Sequence, residues 1–256
     1  MVELHLSQDA DADALLSRDP FALLVGMVLD QQVPLEWAFA APAELVKRLR
    51  GRFDPAKVQA MEPDALGAVF STKPALHRYP GSMATRVHAL ATVLCDEYDG
   101  RAENVWSGVT SGAELFGRVR RLPGFGEQKA KIFVALLGKQ LGVRPPGWKE
   151  VSAPFSDPGS FRSVADITGL DTLQKVRAFK ADLKAAAKRT GPAAAVGSGP
   201  ATGKAATGKA VAGKRATTNA PSKEPAASKT PATATTSAAA RAASRSTAGK
   251  ARGAKR

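Results

Sequence analysis

Leu122-Pro123-Gly124-Phe125-Gly126 separates two stretches with helical apolar spacing. Ala113, Leu115, Phe116 and Val119 precede it, and Ala130, Ile132, Phe133, Leu136 and Leu137 follow. Two glycines two apart, after a proline, predict a turn too tight for a residue with a Cβ. A helix that starts straight out of such a turn has amides without intrahelical partners at its positive dipole end. That end suits a phosphate oxygen. Helix, Pro-Gly-x-Gly turn and second helix together describe a device for holding a nucleic-acid backbone without reading bases.

The elements that must carry this device read almost entirely as helices. Asp19-Pro20 predicts a cap and a first-turn proline. Phe21–Leu29 then reads as a helix buried on most sides. Further helices are predicted over Ala41–Leu49, Pro55–Ala60, Pro63–Phe70, Ser82–Tyr98 and Ser111–Arg121, with a break at Pro80-Gly81 and a stop at Asp99-Gly100. Arg144–Lys149 is expected to be extended or turning, and Ser156–Gly159 to turn. Ser163-Val-Ala-Asp166 has capping-box spacing, and Leu170–Lys188 reads as a final helix. No stretch alternates with period two, so the fold class is all-α. Tyr79, Phe125 and Trp148 are aromatic residues at turns and are expected to close a core.

Charge divides the chain. The sequence has 256 residues and a formal net charge of +14. From Arg189 to Arg256, 13 Lys and Arg face the single acid Glu224, so the preceding body is close to neutral. The 189–256 segment is rich in Ala, Thr, Ser, Gly, Pro and Lys and has no aromatic residue, which predicts a disordered basic tail able to attract a polyanion. The 1–188 body is long enough for a full core. Cys95 is the only cysteine, which excludes an internal disulfide, a thiolate zinc site and an iron–sulfur cluster. His5, His77 and His88 are scattered. No signal peptide is evident, and Phe21–Leu29 is too short to span a bilayer, so no membrane partner is expected. A cytoplasmic, nucleoid-associated monomer is the expectation.

The chain resembles the helix-hairpin-helix DNA glycosylase superfamily, the group that includes endonuclease III and the adenine and 8-oxoguanine glycosylases. Leu122-Pro-Gly-Phe-Gly-x-x-Lys-Ala130 matches the family's Leu-Pro-Gly-x-Gly-x-x-x-Ala. Tyr79-x-x-x-x-Ala84-x-x-Val87 resembles the helix before the hairpin helices, and Leu23–Gln32 is similar to the early helix that ends in Gln or Asn. The resemblance implies base excision repair of double-stranded DNA, damaged or distorted, with a base rotated into a pocket. It implies that Gly124, Gly126 and the amides of Glu127, Gln128 and Lys129 hold phosphates, within a contact set that runs from Leu122 and Pro123 through Phe125 to Lys131. A monovalent cation on hairpin carbonyls is implied too. Gln32 sits where the family fills the gap left by the flipped base; a polar residue at a helix C-terminus is the equal alternative.

Two departures matter. Gln128 stands where bifunctional members carry a lysine, and an amide forms no Schiff base, so lyase chemistry at that position is excluded. Lys129 and Lys131 are expected to be phosphate- or solvent-facing. The family's catalytic aspartate, about twenty residues past the hairpin, falls here at Pro146 or Gly147. Glu150, Asp157 and Asp166 are the remaining candidate catalytic acids. The expectation is a monofunctional DNA glycosylase that hydrolyses the N-glycosidic bond. The alternatives are a non-catalytic DNA-binding protein with the glycosylase fold and a DNA-condensing tail, and a protein-interaction scaffold.

Overall fold

The computed structural model describes residues 3–189, with side chains to 186. The basic segment from residue 190 onward, and the tail predicted there, lie outside the described residues. Ten α-helices and two short 3-10 turns, with no strand among the described residues, make an all-α body.

Local chemistry sets most helix starts. The Asp19 carboxylate accepts from Phe21 N (2.9 Å) and Ala22 N (3.2 Å), and Pro20 opens α2 (Pro20–Leu29). Every residue from Phe21 to Leu29 is buried, so α2 is the central rod of the first helix group. Around it pack α1 (Ala10–Arg18), α3 (Leu35–Arg48), α6 (Pro80–Tyr98) and a 3-10 turn at Ala102–Val105. The short α4 (Pro55–Gln59) and α5 (Pro63–Ser71) lie on α6. Helix α1, capped by Asp9, lies in a stretch with no helix predicted from sequence, and the starts of α3 and α6 differ from expectation as well. Helix α3 begins six residues before Ala41 and carries Pro42 inside it. Pro80 belongs to the first turn of α6, where a missing N–H costs nothing. Asp99 ends α6 in a left-handed conformation (φ 56°).

The second group is α7 (Gly112–Arg121), α8 (Glu127–Gln140) and α9 (Trp148–Ser152), the last in a segment expected to be irregular. Their close approach explains that helix. A Cβ at Gly138 would stand 2.3 Å from the Trp148 ring, and one at Gly112 would stand 2.4 Å from the Gly147 carbonyl carbon. Trp148 therefore closes the core, as expected. The capping box at Ser163–Asp166 forms around a 3-10 turn that packs on α8, and α10 (Leu170–Arg189) follows. Buried side chains from both groups join in one continuous core.

Candidate nucleic-acid interface

The turn between α7 and α8 is held from inside. Leu122 and Phe125 are buried, Phe125 N donates to Leu122 O (3.0 Å), and the Phe125 ring meets Phe133 edge-on at 5.7 Å. These two side chains support the hairpin rather than facing a ligand. The two glycines have different reasons to be there. Gly124 adopts φ +84°, and a Cβ on it would meet both Val28 methyls at 3.4 Å. Gly126 has φ −78°, and a Cβ on it would have open space, so the turn does not require its lack of a side chain. What Gly126 leaves bare is the start of α8, where no side chain caps the first amides. Gly124→Ala is therefore expected to cost about 1–2 kcal/mol in urea unfolding. Gly126→Ala should unfold within about 0.5 kcal/mol of wild type.

The hairpin shares a cleft of about 470 Å³ with the end of α2. Met27, Asp30 and Gln31 line one side, and Gly124, Gly126, Glu127, Gln128, Lys129 and Ile132 line the other. Lys129 bridges the two sides. Its Nζ donates to Met27 O (2.6 Å) and Val28 O (3.3 Å), capping the C-terminus of α2. Lys129 is thus not the outward charge expected of it: a lysine stem is long enough to turn under the helix toward unpaired carbonyls. Burial lowers its pKa to about 8, against a smaller opposing pull from Asp30. The Asp30 carboxyl is raised above its ordinary range, first by burial, with Lys180 and Lys129 acting against that shift.

The lysine makes folding pH-dependent. Folded Lys129 releases its proton near pH 8, whereas an ordinary lysine holds it to 10.5. Between these values the unfolded chain binds more protons, so stability rises as pH climbs through the window. In Lys129→Met this rise should be smaller, on the order of 2 kcal/mol, when urea unfolding at about pH 7.5 and about pH 10 is compared between the two proteins.

Beyond Asp30 the chain turns sharply. Gln31 Nε2 donates to Val28 O (2.6 Å), and its Oε1 accepts from Arg86. Gln32, next to the lining residue Gln31, is exposed and left-handed (φ 58°) and does not itself line the cleft. Buried His77 fixes this turn, because its Nε2 bonds Gln31 O (2.9 Å) and its Nδ1 accepts from Tyr79 N (3.0 Å). Nδ1 as acceptor puts the ring proton on Nε2, and burial lowers the His77 pKa, keeping the ring neutral.

None of the three acids expected from sequence lines this cleft. Asp166 is buried. Its Oδ1 pairs with Lys139 Nζ (2.5 Å), and its Oδ2 accepts from Arg162 N (2.8 Å) and Ser163 N (3.1 Å), so it is a loop anchor. Lys139 also donates to Asp157 O (2.8 Å). Lys139 lies thirteen residues past Gly126, about 20 Å along α8 at 1.5 Å per residue. The Asp157 side chain is exposed beside that far end, and Glu150 is exposed on α9. Lys131 does not line the cleft and pairs with Glu127, which does, at 3.0 Å. The carboxylate that sequence reasoning missed is Asp30. It closes an apolar helix and looks like an ordinary cap until Lys129, 99 positions later, folds beneath it.

No protein-family model, curated protein or solved structure matches the chain. Among the described residues no group of three or more His, Cys, Asp or Glu is placed to hold a metal ion, and Cys95 is the chain's one cysteine, so nothing suggests an iron–sulfur cluster. No described helix is long and apolar enough to cross a membrane.

Proposed function

We propose that the body is a helix-hairpin-helix DNA glycosylase-like fold, that the hairpin grips duplex phosphates, and that the cleft receives a nucleoside rotated out of the stack. The carrying observation is that Asp30, a carboxyl raised by burial, lines the same cleft as Gly124 and Gly126. A backbone grip and a desolvated acid side by side suit N-glycosidic hydrolysis. The base departs with the bonding electron pair as positive charge builds on the sugar. Asp30, ionised, stabilises that charge and takes the proton of the water that attacks the anomeric carbon. Lys129 positions Asp30 by holding the end of α2, and its charge favours the ionised carboxylate. Gln128 offers no amine, so the reaction ends at base release.

A monovalent cation would be held by neutral hairpin carbonyls, of which Leu122 O and Gly126 O each already accept one backbone N–H. It would offset phosphate charge, and no step depends on it. The basic tail would add a sequence-independent attraction to the duplex and hold the protein on the nucleoid.

The test is single-turnover incubation with duplexes carrying alkylated, oxidised, deaminated or mismatched bases, followed by alkali. Strand cleavage at one lesion class is the expected result. Tight binding with no cleavage across the panel would sink the enzyme and leave the non-catalytic DNA-binding protein.

A further inference from the structure

Tyr79 was expected to close a core, yet the residue is 42% exposed. Trp37, in the first turn of α3, is 41% exposed. Only two other large apolar side chains among the described residues are comparably exposed, Leu170 and Leu183, both on α10. The two exposed aromatics belong together. Buried His77 stands between them, 6.5 Å from Trp37 and 6.1 Å from Tyr79, with interplanar angles of 32° and 43°. Trp37 and Tyr79 thus flank a fixed ring that is itself bonded to Gln31, a lining residue of the cleft. The surroundings are basic. The Arg78 guanidinium sits 5.3 Å over the Tyr79 ring, and Arg86 is bonded to Gln31. The nearby acid Glu36 is taken up by Arg177.

Two exposed aromatic side chains beside a buried, hydrogen-bonded histidine, bordered by arginines, match the chemistry of base stacking. A π-face of any base gains from an aromatic platform, while the neighbouring cations meet its phosphates. An apolar protein segment would gain nothing from the arginines. We infer that Trp37 and Tyr79 form a stacking platform for an unpaired nucleobase at the lip of the cleft. The inference rests on the DNA-binding reading above and adds a substrate feature to it: DNA with a base already outside the helix is preferred to a continuous duplex.

Fluorescence anisotropy with three labelled duplexes tests this: one with a single bulged thymidine, one with an abasic nucleotide in the bulge, and one fully paired. Wild type should bind the thymidine bulge about 5- to 150-fold more tightly than the abasic bulge. Trp37→Ala and Tyr79→Ala should each shrink that ratio, leaving affinity for the paired duplex unchanged, and Trp37→Phe should retain most of it. Equal wild-type affinity for the thymidine and abasic bulges overturns the platform alone, as does an undiminished ratio in Trp37→Ala. No binding to any of the three overturns both the platform and the DNA-binding reading. Sedimentation without DNA supplies the other occupant: a wild-type dimer that Trp37→Ala converts to monomer would assign the face to a second copy and overturn the proposal.

Discussion

Asp30→Asn should slow base release about 10²- to 10⁴-fold at saturating enzyme, the range lost when a positioned acid–base group is removed. DNA affinity should change little, because the hairpin amides are untouched. Folding stability should hold or rise slightly. The replaced carboxyl is raised by burial, meaning that its charged form is costly in this site, and an amide of the same shape avoids that cost. Lys129 would lose the charge that opposes its own downward shift, so its pKa should fall below the wild-type value of about 8. The wild-type rate should also depend on pH in a defined direction. Asp30 must be ionised to act, and its pKa is raised, so the rate climbs with pH through that raised value, and the limb disappears in Asp30→Asn. Glu150→Gln and Asp157→Asn should leave the rate within about twofold, since both side chains are exposed and outside the cleft.

Lys139→Ala should cost about 3–5 kcal/mol in urea or thermal unfolding. Lys139 Nζ meets Asp166 Oδ1, Ser160 Oγ and Asp157 O, and the Asp166 side chain is 3% exposed. Removing the ammonium leaves a buried carboxylate with backbone and hydroxyl donors but no counter-charge. The double change Lys139→Met with Asp166→Asn should recover much of the loss, because it removes both charges together. A loss below about 1 kcal/mol in Lys139→Ala would mean that Asp166 is free for another task, reopening it as a catalytic candidate.

Several helix starts were readable in the sequence where one residue did the work, although α1, capped by the Asp9 carboxylate, was not among them. Asp19-Pro20, Asp54-Pro55 and Ser111 cap their helices through local side-chain bonds, and the Ser163–Asp166 box closes as its spacing implies. Helix α9 was not readable. It forms because Gly138 and Gly112 let Trp148 and Gly147 come within touching distance, a contact between distant segments. The site divides the same way. The hairpin was visible as a motif, but Gly124 serves the turn and the packing on Val28, whereas only Gly126 leaves the α8 amides bare. The family resemblance places a catalytic acid downstream of α8. The chain instead places a carboxyl at the end of α2, and Lys129 joins that end to the hairpin across 102 residues. Periodicity and spacing carry no signal for such a pairing, because its partners are neighbours only after the core has formed.

Amide hydrogen exchange locates the face proposed to meet DNA. The 127–129 amides have no helix partner and should exchange quickly in the free protein. With a saturating duplex, slowed exchange should appear at residues 124–129 and in the 30–32 turn. Unchanged exchange at these positions, with DNA bound and protection elsewhere on the body, would place DNA on another face and remove the hairpin from its grip.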